Sequence, residues 1–363
     1  MLISLLGFIF GIIFCFCFVP LVRFIGLRFA IIDLPSKRKV HTDPTPCSGG
    51  IAVYLAFFLS LIVMLVFTNT CETMNIVRLF ICSTLLLVLG IYDDKWILKP
   101  VVKLMGQVVV VLIAIFLGLK INTIGSFQIG WLSVPITLFW FLVFINAVNL
   151  IDGIDGLACG IVCIVSLAMF GVALFFNDLP LSILTGCLSG VTAAFLYFNF
   201  HQKKIFLGDN GSMLLGFLIA SIPVLSASTH KNITMNMFYM TIVGVGVPIY
   251  DVLSVIIRRL KAKQSIFKAD KQHIHHRLMA TGLTPHQVVG ILYAITVLLL
   301  GLGIIGNGLI ISEKICLPMC IRTCKIIKNA QANTQTGSMF GTGSLSLGQF
   351  LNQGQSVPVD RVR

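Results

Sequence analysis

The sequence predicts an all-α fold, a polytopic transmembrane helical bundle of about ten spans. Of its 363 residues, 57% are hydrophobic and only 11% are charged, which is typical of membrane-embedded chains. A span needs about 20 largely apolar residues. Ten runs approach that length, near residues 2–22, 50–67, 78–92, 104–119, 132–150, 157–176, 181–200, 213–225, 237–257 and 288–311. They leave no room for a sizeable soluble domain, so residues 1–311 are predicted to form one membrane domain.

The last part of the chain has a different composition. Residues 312–363 are polar and rich in Gly, Ser, Gln, Asn and Thr. Such segments bury too little apolar surface to fold by themselves. We therefore expect a disordered C-terminal tail.

The basic residues follow the positive-inside rule. With the N-terminus outside, seventeen Lys and Arg fall in the cytoplasmic loops, near 23–48, 93–103, 149–156, 201–212 and 258–287. The opposite loops hold only Lys120 and Lys231. This asymmetry sets the orientation of a multi-pass protein of the plasma (inner) membrane. The net charge of +13 then reflects topology and the lipid bilayer, and we expect no nucleic-acid partner.

The acidic residues cluster at the ends of the apolar runs. Six polar islands interrupt the apolar runs: residues 33–50, 93–95, 146–156, 208–212, Asp251 and 270–277. The chain has thirteen acidic residues, and nine lie in or beside these islands: Asp33, Asp43, Asp93, Asp94, Asp152, Asp155, Asp209, Asp251 and Asp270. An ionised carboxylate beside a bilayer is costly and usually functional. The predicted topology places every island on the cytoplasmic face, where together they can form one active site.

The first site motif is the pair Asp93-Asp94, which closes an apolar run and is followed by Lys95, Lys99 and Lys103. Adjacent carboxylates repel unless a cation bridges them. Mg²⁺ suits this setting because it takes a few carboxylates and keeps other positions for water and phosphate. The alternative for the pair alone is a solvated helix end.

The second motif, residues 146–156, carries four polar groups without a compensating Lys or Arg. Asn146 and Asn149 share a helix face at a spacing of three, and Asp152 and Asp155 repeat that spacing within two Asp-Gly pairs that break the helix. This pattern calls for a cation or a ligand rich in donors. The alternative is a capped turn between two spans.

Two further motifs favour phosphate. Asp209 lies between glycines just before a predicted helix; a helix N-terminus favours anions and the carboxylate favours a metal, while an ordinary N-cap is the alternative. His273, His275 and His276 lie beside Arg277. Zinc is disfavoured there because no second ligand pair is near, which leaves an anion-binding surface or a solvated loop.

In this order, the motifs resemble the polyprenyl-phosphate N-acetylhexosamine-1-phosphate transferases of the WecA/TagO type. The matching pieces are Asp33-x-Pro35 with Arg38-Lys39-x-His41, Pro46 and Gly49-Gly50; Asp93-Asp94 with Leu98-x-Pro100-x-x-Lys103; Asn146-x-x-Asn149-x-x-Asp152-Gly153-x-Asp155-Gly156-Leu157; Gly208-Asp209-x-Gly211-Ser212; and His273-Ile274-His275-His276-Arg277-Leu278. The resemblance extends from about residue 20 to 300. Ile274 interrupts the His triplet expected of the branch that uses UDP-MurNAc-pentapeptide, so the resemblance implies UDP-N-acetylglucosamine.

The resemblance implies attack of undecaprenyl phosphate on a UDP-N-acetylhexosamine, with release of UMP. It implies Asn149 and Asp209 as ligands of Mg²⁺, with Mn²⁺ as a substitute, and catalytic roles for Asp93, Asp94, Lys103, His276 and Arg277. It implies substrate contacts for His41, Asn146, Asp152, Asp155, His273 and His275, with Asp155 and His41 near the uridine. A homodimer is compatible with such a bundle.

The roles of Asp93 and Asp94 stay open between a covalent nucleophile and a general base. Direct attack is favoured because a phosphate monoester has a second pKa of about 6, so little proton remains to be removed at pH 7.

Three other classes compete with the GlcNAc-1-phosphate transferase. One is the phosphotransferase that uses UDP-MurNAc-pentapeptide. Another is a secondary transporter, which would place charges near the midplane, whereas the interiors of these spans lack acids. The last is a non-catalytic membrane scaffold.

Overall fold

The computed structural model describes residues 2–28, 32–33, 45–46, 48–68, 73–124, 127–201, 205–226, 231–261, 263 and 273–304. His41 and the predicted tail from 312 onward lie outside these residues.

Within the described part, twelve helices form a bundle. They are α1 Leu2–Arg28, α2 Gly49–Thr68, α3 Thr73–Trp96, α4 Pro100–Phe116, α5 Ser133–Ile151, α6 Leu157–Phe175, α7 Leu179–Leu196, α8 Gly208–Ser226, α9 Lys231–Gly244, α10 Gly246–Lys261, α11 Ile274–Ala280 and α12 Pro285–Ile304. A 3-10 turn, Gly130–Leu132, precedes α5, and a π-helical turn, Tyr197–His201, extends α7. Two antiparallel strand pairs lie in loops: β1 Ile32–Asp33 with β2 Thr45–Pro46, and β3 Thr123–Ile124 with β4 Phe127–Gln128.

The predicted bundle is confirmed. Among the described residues, eight helices are long and apolar enough to cross a membrane, and α9 with α10 makes a ninth if the bent pair is one span. The predicted run near 104–119 falls on α4, which has 17 residues.

One predicted span needs correction, because the run near 237–257 is not a straight helix. The chain bends by 58° between α9 and α10. Gly244 and Gly246 flank the break, and Pro248 lies in the first turn of α10. Proline lacks a backbone donor and its ring clashes with the preceding turn, so the helix cannot continue straight through this point.

Small residues bring α1 and α7 into close contact. Gly11 on α1 meets Gly190 on α7, while Gly7 lies against Cys187 and Gly186 against the Ser4 carbonyl oxygen. A Cβ on Gly190 would overlap the carbonyl oxygen of Phe8. This small-xxx-small spacing on both helices lets backbones approach closely where lipid offers no hydrophobic driving force.

Helix α8 lies at the centre of the bundle. Sixteen of its 19 residues are buried, and it packs against α2, α3, α5, α6 and α9. Its polar first turn begins at Gly208 and contains Asp209. The neighbours of α8 therefore decide what surrounds that turn.

We expect Gly190→Ala to destabilise the protein by about 1–3 kcal/mol, since the new methyl group meets the Phe8 backbone, which cannot rotate away. Thermal unfolding in detergent measures this as a lower Tm. Gly171→Ala is the matched control: Gly171 lies on α6 with nothing within 4 Å of the added atom. Equal Tm values for the two variants would contradict the close α1–α7 contact.

Candidate active site

The turn between α3 and α4 is shaped by Asp93. Its side chain is 7% exposed, and its Oδ1 accepts a hydrogen bond from the Leu98 backbone N–H at 2.8 Å. Its carbonyl oxygen accepts from the Ile97 N–H at 2.8 Å. Pro100 then starts α4, a position where its missing donor costs nothing. This turn directs Lys103, in the first turn of α4, back toward the acids.

Lys103 joins three of the predicted motifs. Its Nζ lies 2.8 Å from Oδ2 of Asp93 and 2.7 Å from Oδ1 of Asp209, and it donates to Oδ1 of Asn149 at 2.9 Å. The Lys103 side chain is only 15% exposed, whereas the Asp209 side chain is 36% exposed. Three oxygen atoms from α3, α5 and α8 therefore converge on one point that remains accessible through Asp209.

Asn149 fixes the orientation of Asp209. Its Nδ2 donates to Oδ1 of Asp209 at 2.5 Å and to the Ser212 hydroxyl at 2.8 Å. Because the amide nitrogen is engaged on α8, the amide oxygen faces Lys103. Ser212 belongs to the Gly208–Ser212 motif, but no role is predicted for it from the sequence alone. Its position one turn after Gly208 is the feature of the sequence that indicates a contact at this helix start.

Asp94 binds the start of α8. Its Oδ1 accepts from the Asp209 N–H at 2.8 Å, and its Oδ2 accepts from the Asn210 N–H at 3.2 Å and from Asn210 Nδ2 at 2.5 Å. It thus satisfies backbone donors that a helix N-terminus leaves unpaired, although it comes from another helix. Gly90, one turn earlier on α3, makes this possible, since a Cβ there would overlap the Asn210 backbone.

The loop at 152–156 is held from two sides. The Gly156 N–H donates to Oδ1 of Asn199 at 2.7 Å, and its carbonyl oxygen accepts from the Tyr293 hydroxyl at 2.5 Å. Asn199 also donates to the Ile205 carbonyl oxygen at 3.0 Å, so the π-helical turn connects two of the polar islands. Gly156 has φ +83°, a conformation that favours glycine. Neither Asn199 nor Tyr293 was predicted, because each lies outside the motifs.

The carboxylates crowd one another in this region. Burial, together with the negative charges of Asp209, Asp94 and Asp155, raises the pKa of Asp152 well above its usual range. Lys103 offsets only part of this effect. A site with five carboxylates near one ammonium favours cationic or proton-donating ligands.

The last predicted motif forms α11 and reaches the same region. Asp251 on α10 accepts from the Ile274 N–H at 3.0 Å and lies 3.2 Å from Nδ1 of His273. His275 is buried, and its ring packs on Gly153. Burial, with the nearby His276 and His273, lowers the pKa of His275 to about 4, so this ring is neutral at pH 7.

His276 and Arg277 are exposed. The ring centroids of His275 and His276 lie 4.3 Å apart. The structure thus leaves the two predicted catalytic residues of this motif facing outward, while His273 and His275 anchor the segment.

The predicted residues divide into three groups. Asp93, Asp94, Lys103, Asn149 and Asp209 form one hydrogen-bonded network. The second group lies at the 152–156 loop: Asp152 and Asp155 are in the loop, and His273, His275, His276 and Arg277 are in the segment that packs on it through His275. Asn146 is the third, because its Nδ2 donates to Oε1 of buried Gln107 at 2.7 Å and to the Leu142 carbonyl oxygen at 2.8 Å. Its amide nitrogen is thus engaged within the bundle.

The oxygen donors at Lys103 suit a hard cation. Mg²⁺ prefers carboxylate and carbonyl oxygens and leaves positions for water and phosphate, and two carboxylates and one amide meet here. No group of three His, Cys, Asp or Glu in ligand geometry occurs among the described residues. A cation held by Asp93, Asn149 and Asp209 would therefore have one amide oxygen among its ligands, beside two carboxylates.

Comparison with known proteins assigns the chain to a family. The model of glycosyl transferase family 4 matches residues 76–227, which contain three of the polar islands. A probable undecaprenyl-phosphate N-acetylglucosaminyl 1-phosphate transferase of Bacillus subtilis (strain 168) is 36% identical over 295 residues, covering 80% of this chain and 81% of that protein.

Two further relatives agree. The decaprenyl-phosphate N-acetylglucosaminephosphotransferase of Mycobacterium tuberculosis (strain ATCC 25618 / H37Rv) is 30% identical over 335 residues, covering 84% of this chain and 81% of the relative. The undecaprenyl-phosphate alpha-N-acetylglucosaminyl 1-phosphate transferase of Escherichia coli (strain K12) is 29% identical over 313 residues, with 80% of each covered. With this identity and coverage, and with the motif residues joined in one site, the chain belongs to glycosyl transferase family 4.

Proposed function

We propose that this protein transfers N-acetylglucosamine-1-phosphate from its UDP-sugar to undecaprenyl phosphate and releases UMP. The observation that carries this proposal is the convergence of Asp93, Asn149 and Asp209 on Lys103, at a helix N-terminus beside the membrane. Two anionic substrates must meet in this reaction, and phosphoryl transfer asks a protein mainly for positioning and charge neutralisation. The names of the relatives support the same chemistry.

We assign the pyrophosphate of the donor to Lys103, together with His276 and Arg277 of α11. Lys103 supplies a half-buried positive charge, and Arg277 can hold two phosphate oxygens at once. Asp155 and His41 are proposed to contact the uridine. The lipid phosphate, mostly dianionic at pH 7, attacks directly in this scheme, so no protein group must remove a proton.

We further propose that Asn149 and Asp209 hold Mg²⁺, with Asp93 adjacent and Mn²⁺ as a substitute. Oδ1 of Asn149 and Oδ1 of Asp209 already converge on one position, 2.9 and 2.7 Å from Lys103 Nζ, which supports this assignment. The ion would take the place of the ammonium there, and the Lys103 side chain would then be free to meet the phosphates. Bound there, the ion would neutralise charge that develops on the phosphates.

Asp94 is proposed to position Asp209 rather than to act as a base or nucleophile. Both of its oxygen atoms are engaged by the first turn of α8. A general base must reach the proton that it removes, and a nucleophile needs a free lone pair directed at phosphorus. Asp93, bound to Lys103 and the Leu98 N–H, is similarly engaged.

The site is proposed to face the cytoplasm from the plasma membrane. The charge asymmetry of the loops supports this orientation. A homodimer is compatible with this arrangement.

The proposed reaction is tested with purified protein in detergent, Mg²⁺ and undecaprenyl phosphate. UMP is measured after addition of UDP-GlcNAc, UDP-GalNAc or UDP-MurNAc-pentapeptide. We expect UMP with UDP-GlcNAc, dependent on the lipid and lost on addition of a chelator. UMP with UDP-MurNAc-pentapeptide alone would reassign the donor, and no UMP from folded protein with any donor would favour a scaffold.

Lys103→Met should lower kcat/KM by about 10²–10³, because it removes a half-buried charge that this scheme assigns to the phosphates. Lys99→Met is the matched control, since Lys99 is exposed one turn earlier and makes no cap hydrogen bond. Comparable kcat/KM values for the two variants would contradict a phosphate-binding role for Lys103.

Asp94→Asn should reduce kcat roughly 10–100-fold, since asparagine keeps one acceptor for α8 and loses the other. The pH dependence of kcat between pH 5.5 and 9 should keep its shape. Complete loss of turnover at unchanged Tm, or loss of the acidic limb of the profile, would show instead that Asp94 exchanges a proton with substrate.

A further inference from the structure

Asp251 lies outside the catalytic network but contacts the segment that follows it. The side chain is buried on α10, with 2% of the residue exposed. Both of its oxygen atoms contact α11 or the residue before it: Oδ1 accepts from the Ile274 N–H at 3.0 Å, and Oδ2 lies 3.2 Å from Nδ1 of His273.

The surroundings of Asp251 are otherwise largely apolar. The cavity beside it is lined by Ile151, Leu157, Ile161, Val247, Pro248 and Leu292, together with Ile274 and His275. Burying a carboxylate in such a place is expensive even when it is hydrogen-bonded, and an apolar residue of similar volume would often be at least as stable. Stability alone is therefore a poor explanation for an acid at this position.

The contacts of Asp251 determine the placement of α11. This helix has only seven residues, too few to hold its own conformation. Asp251 binds the first N–H of α11, and His275, the second residue of the helix, packs on Gly153 in the 152–156 loop. Because Oδ2 is an acceptor, Nδ1 of His273 carries its proton toward Asp251, which defines the tautomer of that ring.

We propose that Asp251 is a positioning residue that orients the His273–Arg277 segment, so that His276 and Arg277 meet the phosphates of the nucleotide sugar. This inference rests on the proposed function. Asp251 touches neither substrate in this scheme; it acts through His273 and the start of α11. Its loss should therefore weaken use of the UDP-sugar and spare the lipid acceptor.

Asp251→Asn is the informative variant. The asparagine oxygen can still accept from the Ile274 N–H, but its NH2 group then faces the Nδ1–H of His273, and two donors cannot bond to one another. Asp178→Asn is the matched control. Asp178 is also buried and also accepts a backbone N–H at a helix start, from Leu181 at 3.0 Å, but it follows α6, at the end away from the polar islands.

The measurement is a double-mutant cycle with Arg277→Ala, which reports coupling between residues that act together. We expect Asp251→Asn to raise KM for UDP-GlcNAc about tenfold, with KM for undecaprenyl phosphate within about twofold of wild type. In the Arg277→Ala background the same change should have an effect of about twofold or less. Asp178→Asn should leave both KM values unchanged.

The opposing outcomes are distinct. An undiminished effect in the Arg277→Ala background, or equal changes in both KM values, overturns the positioning role. If Asp251→Asn does not fold, as judged by its Tm, His273→Ala repeats the cycle from the other partner, and additivity there overturns the proposal equally. Absence of UMP from the unmodified protein instead overturns the proposed function, and this inference with it.

Discussion

The ammonium of Lys103 holds the site together, because carboxylates from α3 and α8 and an amide from α5 all require it. The carboxylates of Asp93 and Asp209 lie 2.8 and 2.7 Å from the Lys103 Nζ and would repel one another without a cation between them. A buried ion pair is not a reliable source of stability, so the arrangement is better understood as a constraint on geometry. It fixes where three helix ends meet, and the meeting point is where a phosphate or a metal must bind.

The packing around α8 serves this constraint. Helix α8 is enclosed on most sides, and neighbouring helices satisfy most of the polar groups of its first turn, while the Asp209 side chain remains partly exposed. Asp94 provides acceptors from α3, and Gly90 brings the two backbones close enough for that contact. On the other side Asn199 and Tyr293 hold Gly156. The site is therefore built from helix ends, which are stiffer than long loops.

The α11 segment completes the site from a different layer. It is attached to α10 through Asp251 and to the 152–156 loop through His275 and Gly153. Since α10 begins at a 58° bend after α9, the break in the ninth predicted span directs Asp251 toward α11. An irregularity in one helix is thereby linked to the orientation of His276 and Arg277.

The sequence by itself determined the class of the protein, the approximate positions of its spans and the motifs of the site, because apolar length and buried charge are expensive to place wrongly in a membrane. Asp93, Asp94, Lys103, Asn149 and Asp209 were all named from their motifs. Which partner each polar side chain contacts was decided by tertiary structure alone. Asp94 binds the first turn of α8, the Asn146 amide nitrogen donates to Gln107, and Asp251 contacts His273, 22 residues further along the chain. These contacts depend on how helices pack, and spacing along one helix carries no record of which neighbour it will face.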